Sequence, residues 1–183
     1  MPADRPIPSP GWRLCFLTLT VIATVLLRVI PHPWNFTPVG ALALFGGACF
    51  ADRRLAFLLP MGALFIGDLF IGLHVLIPVV YASFAVNVLL GRWLRSRRSV
   101  LSTAAVTLIG SVQFFIITNL GSWWVFDPHT LEGLIACYVA AIPYFKFTLL
   151  GDGLFVAILF GGWALLERGF PALREPIPQP AAV

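Results

Sequence analysis

The chain has 183 residues, of which 59% are hydrophobic and 11% charged, and its mean hydropathy is +0.92. A soluble domain of this length needs a far more charged shell, so the composition excludes a water-soluble globule. The net charge of +4 does not signal nucleic acid either, because the arginines sit in short joints between apolar runs and not on one patch.

Residues 1–11 (MPADRPIPSPG) are proline-rich and predict a disordered cytoplasmic N-terminus. No A-x-A cleavage site follows Arg5 and Arg13, so the first apolar run, about Leu14 to Ile30, reads as a retained span closed by Pro31 and Pro33. The second, Thr37 to Phe50, is short for a spanning helix at a rise of about 1.5 Å per residue. Spans three, Leu55 to Gly72, and four, Val75 to Leu94, carry Asp68, and Tyr81 with Asn87, respectively. The fifth is Val100 to Thr118 with Gln113 near its end, followed by an irregular joint over residues 119–130 (NLGSWWVFDPHT).

Residues 131–142 are too short to cross comfortably and predict a half-helix that breaks near Pro143. The last span runs from about Lys146 to Leu166 and leads into a Pro-rich tail over 169–183. The expected fold is therefore all-α: one transmembrane domain over 12–168, with six transmembrane helices and a short outer half-helix, seven spans being the competing count. With six spans, every basic residue but Arg28 and Lys146 falls on one side, which the positive-inside rule makes cytoplasmic. Both termini are then expected inside, in a bacterial inner membrane.

That orientation gathers His32, His74, His129, Trp34, Asn35, Asn119, Trp123, Trp124 and Asp127 on the outer face, where a small-molecule ligand would arrive. A charge within a span costs about 2.5–3.5 kcal/mol on insertion scales, so it normally faces a cavity or a partner. Asp68, Tyr81, Gln113, Lys146 and Asp152 reach similar depths on four helices, which is what a pocket needs. Asp68 and Lys146 could equally pair with each other, Asn87 suits an interhelical bond, and Arg28 can snorkel. The candidate binding residues are Trp34, Asn35, Asp68, His74, Tyr81, Gln113, Asn119, His129, Tyr138 and Lys146.

Trp34 and Asn35 stand in the stretch PHPWNF, whose prolines restrict the backbone, so it reads either as a gate over the pocket or as a turn and lipid anchor. Three outer histidines leave a metal contact open. Cys15, Cys49 and Cys137 lack CxxC spacing, and buried thiols are expected. The run Gly40 to Ala48, with Ala43 and Gly47 as a small-xxx-small pair, predicts close helix packing.

LLPMGALFIGDLFIG resembles the third span of the substrate-binding S components of energy-coupling factor transporters. AAIPYFKFTLLGDGLFVAILFGGWALLER resembles their last span, through Ile142, Pro143, Tyr144, Lys146 and Gly151. The phrase NFTPVGALALFGGA is similar to one shared by a group of small uncharacterised bacterial membrane proteins. The resemblance implies a vitamin-like nutrient as ligand, cobalamin or a related cofactor precursor being one candidate, with Cys137 the cysteine on the outer side. It also implies docking on an energising module of transmembrane and ATPase subunits, although span one offers Thr20 and Thr24 where S components have an Ala-xxx-Ala face. No G-x-x-x-x-G-K-[ST] loop occurs, and no bound cofactor is expected. An assembly subunit and an intramembrane enzyme, with Asp68, His74, His129 and Glu132 as its acid–base set, are the alternatives to uptake.

Overall fold

The computed structural model describes residues 10–169, and the expectations for 1–9 and 170–183 lie outside them. Six helices follow one another: α1 (Pro10–Val29), α2 (Val39–Cys49), α3 (Arg53–Ile71), α4 (Ile77–Leu94), α5 (Val100–Phe126) and α6 (Leu131–Gly169). The last four are long and apolar enough to cross a membrane. Their starts are written locally. The Asp52 side chain accepts from Arg54 N–H at 2.7 Å ahead of α3, and Ser99 and Ser102 form a reciprocal capping box ahead of α5.

The shortest helix lies at the centre. All eleven residues of α2 are buried, and it packs against α3, α4, α5 and α6, as expected of a helix that is apolar on every side. Its approach to α4 is set by Gly47 and Gly91. A methyl group on Gly47 would fall on the Val88 carbonyl, and one on Gly91 on the Leu44 carbonyl. Just beyond the C-terminus of α2, the Arg92 guanidinium donates to the carbonyls of Phe50 (2.8 Å) and Ala51 (3.2 Å). A cation there complements the negative end of the helix dipole and satisfies carbonyls that no longer have a helical partner. Around this hub, Phe45 sets its ring edge-on to Phe50, Phe160 and Trp163.

The joints 30–38 and 72–76 meet the last turns of α5 at one end of the bundle, here the histidine end. The joints 50–52 and 95–99 meet at the other, the arginine end, where Arg98 also reaches Cys49 Sγ. Two boundaries differ from expectation. Residues 119–126 continue α5, so the α5–α6 joint is only 127–130. Asn119 there donates to its own helix at Phe115 O (2.7 Å), and no proline intervenes before Pro128.

Residues 131–142 are helical, but they are not a separate half-helix. They run through Pro143 into one helix of 39 residues. A backbone in an apolar setting has no water to satisfy groups freed by a break, so it stays helical through a proline. The hairpin tip is knitted by the Trp123 indole donating to Pro128 O (2.9 Å) and by the His129 ring stacked on Trp124 at 4.7 Å.

Candidate functional site

A cavity of about 650 Å³ opens at the histidine end between the α1–α2 joint and helices α4, α5 and α6. Its mouth is aromatic and polar: Trp34 stands edge-on to Tyr144 at 6.4 Å, with Asn35, His74 and Asn119 around it. Trp34 is 78% exposed, so most of the indole surface is uncovered by the bundle. The turn that holds it is explicit. Phe36 N–H donates to Pro33 O (3.0 Å), and Asn35 has φ 64°, the positive value a type II turn needs at its third residue. Asn is among the few residues that tolerate this conformation. The turn is seated on α6, where Gly151 lets the backbone of Phe36 and Thr37 come close.

Deeper in, polar groups join the rings. Asn87, Thr148 and Asp152 line the floor, with Phe84 and Phe114 beside them. Asn87 Oδ1 accepts from Gln113 Nε2 at 2.9 Å, which leaves its amino group for the cavity. Two charged clusters border the space, and they differ in kind. Arg28, on the cavity wall, reaches across α3 at Gly67 to an ion pair with Asp68, whose other oxygen accepts from the Tyr81 hydroxyl at 2.9 Å. That cluster is neutral in sum. Asp152 is 6% exposed, accepts from Ser111 Oγ at 2.6 Å, and packs its other oxygen against the bare Cα of Gly40. No ion pair among the described residues involves it. The cavity therefore carries an excess of one carboxylate.

The model of a family of unknown function, DUF6580, matches residues 9–173. The chain belongs to the DUF6580 family. No curated protein and no solved structure matches it.

For this DUF6580 chain the expected site divides into three groups. Trp34, Asn35, His74 and Asn119 share the cavity. Asp68 and Tyr81 stand behind its wall, joined to it through Arg28. Asp68 is not paired with Lys146: that residue lies exposed on α6 with its ammonium 4.9 Å from the Phe147 ring. Arg28 correspondingly turns inward and does not snorkel. Gln113 is a fastener between α4 and α5, bonded to Ser83 and Asn87. His129 belongs to the hairpin tip, and the Tyr138 hydroxyl donates to Ile116 O at 2.7 Å; neither lines the cavity.

The three histidines are not brought together, and among the described residues no group of three His, Cys, Asp or Glu could hold a metal. Nor do Asp68, His74, His129 and Glu132 converge on one point, since His129 stacks at the tip and Glu132 is exposed in the first turn of α6. Cys137 faces Asn119 O at 3.5 Å and does not line the cavity. Arg28, Asn87, Thr148 and Asp152 line the cavity although the candidate set leaves them out, Asp152 being placed only at pocket depth. The signal for Asp152 is in the chain, a carboxylate between two glycines deep in an apolar run (LLGDGLF).

Proposed function

We propose that this chain is a membrane-embedded binding protein for the uptake of a small nutrient, of the S-component type. The nutrient has one or two rings and a positively charged or N–H-rich group. The observation that carries this reading is the pairing of an aromatic mouth, Trp34 and Tyr144, with the Asp152 carboxylate on the floor of the same cavity. Rings supply contact area with little entropy to lose, and a buried carboxylate without a cation favours a ligand that brings one. A volume of about 650 Å³ is ordinary for a small-molecule site and favours a one- or two-ring molecule over a corrinoid.

With the arginine end cytoplasmic, the mouth faces outward, as uptake across a bacterial inner membrane requires. Because the sequence holds no phosphate-binding loop, the energy would come from a partner module or from trapping of the nutrient inside the cell.

The test is purification in detergent followed by mass spectrometry of co-purifying small molecules. A basic or N–H-rich ring compound should accompany the wild-type protein and be lost from Asp152→Asn. A compound retained by Asp152→Asn, or one that is anionic, would refute the reading.

A further inference from the structure

A second hollow flanks the same two helices. A cleft of about 980 Å³ lies between the first half of α5 and the last half of α6, and it reaches Arg98 and Glu167 at the arginine end. Ser111 lines this cleft, Asp152 lines the cavity, and the hydrogen bond between them joins the two walls. The partition between the hollows at this point is one side-chain contact, backed by Gly40 against the free carboxylate oxygen.

The sequence of α5 follows the same line. Ser99, Thr103, Thr107 and Ser111 recur every fourth residue, which sets them on one face of a helix, and all four line the cleft. Farther along, Thr118, Asn119 and Ser122 line the cavity. Polar side chains thus accompany both hollows along the helix, although its overall composition is apolar. The contact at the junction also has an alternative. Ser111 Oγ lies 3.1 Å from Thr107 O and 2.6 Å from Asp152 Oδ2, and a hydroxyl has one hydrogen to give. The serine can leave Asp152 without being left unsatisfied, and that lowers the cost of opening.

We propose that the two hollows are halves of one passage along α5, and that the Ser111–Asp152 contact is its gate. A cationic or N–H group arriving at Asp152 takes over the carboxylate, and Ser111 turns to its own helix. The identity of the traveller rests on the binding reading above; the existence of the passage does not.

The test therefore uses no nutrient. The full-length chain carries Cys15→Ser and Cys137→Ser, retains the buried Cys49 as a sentinel of unfolding, and receives one reporter, Ser122→Cys in the cavity or Thr103→Cys in the cleft. It is placed in vesicles with the histidine end facing the medium. The reagent is the membrane-impermeant cation trimethylammonium-ethyl methanethiosulfonate.

The Ser122→Cys reporter should react and the Thr103→Cys reporter should not. Adding Asp152→Ala or Ser111→Ala should speed reaction at position 103 about tenfold, the scale on which loss of a charge-assisted hydrogen bond shifts a closed–open balance, with Cys49 still silent. Should Asp152→Ala expose Cys49, the milder Ser111→Ala decides. Unchanged reaction at position 103 in the gate variants would overturn the proposal, and so would full reaction there with the gate intact. Reaction with lipid-soluble N-ethylmaleimide but with no aqueous reagent from either end would also overturn it, since the cleft would then hold lipid chains. A co-purified compound retained by Asp152→Asn would refute the binding reading and leave these outcomes untouched.

Discussion

Arg28 and Asp68, forty residues apart, form an ion pair across the α1–α3 contact, with the arginine stem lying over Gly67 and the aspartate almost wholly buried. α1 makes its main packing against α3, and this pair is a buried polar tie between the two helices. Removing one member strands the other charge in a medium of low dielectric, at a cost of about 3–5 kcal/mol. Asp68→Asn and Arg28→Met should each lower the melting temperature in detergent, and the double variant should recover much of the loss. Lys146→Met should melt like the wild type. A wild-type melt for Asp68→Asn would show that the pair does not hold α1.

The crossing of α2 and α4 gives a sharper contrast. Gly91→Ala would drive a methyl group into the Leu44 carbonyl, backbone against backbone, with no flexible side chain to yield. The expected loss is at or above the upper end of the about 1–3 kcal/mol usual for overpacking. Gly162→Ala on α6 meets nothing within 4 Å and should be neutral or slightly stabilising, since alanine is the better helix former. Thermal unfolding of the two variants in the same detergent checks both.

Asn35 separates backbone from side chain. Glycine accepts φ 64° freely, so Asn35→Gly keeps the turn and deletes the amide, whereas Asn35→Val opposes the conformation itself. Asn35→Gly should fold normally and retain less co-purified ligand; Asn35→Val should lose stability as well. Full ligand retention by Asn35→Gly would leave the residue a turn-former alone.

Gln113 should behave in the opposite sense. Its amide joins Ser83 and Asn87 across the α4–α5 contact, and such bonds between membrane helices contribute about 0.6–2 kcal/mol. Gln113→Leu is expected to lower the melting temperature modestly while co-purified ligand, normalised to folded protein, stays near wild type. A large loss of ligand without loss of stability would return Gln113 to the binding site.

The bundle was legible where a local cause was at work. Pro31 and Pro33 close the first span, and the small residues of α2 announce close packing. Pro143 misled because its usual effect depends on water being present to donate to the freed carbonyl. In the site, Trp34, Asn35 and His74 could be gathered from topology alone, since joints at one end of a bundle must lie near one another; Asn119, expected in a joint, reaches the same cavity from α5.

Partners were not legible in the same way. Asp68 offered two cations at the right depth, Arg28 and Lys146, and the choice depends on helix rotation. A sequence does not fix that rotation when every face is apolar. Asp152 was visible as a charge in the wrong solvent, but its importance comes from Ser111 and Gly40, forty-one and one hundred and twelve residues away.

The covered central helix has a consequence for biosynthesis. At about 1.5 Å per residue, the eleven residues of α2 span about 16 Å, roughly half of a hydrocarbon core of about 30 Å. Such a segment cannot leave the translocon sideways as an independent lipid-facing helix, because its end carbonyls would meet acyl chains with nothing to bind them. The group that caps them, Arg92, is synthesised some forty residues later. Through that interval α2 has to be sheltered, by the translocation machinery or by an insertase, until α3 and α4 arrive. Depletion of such a chaperone should show first as failure of the α2–α4 hairpin, with α5 and α6 still able to integrate.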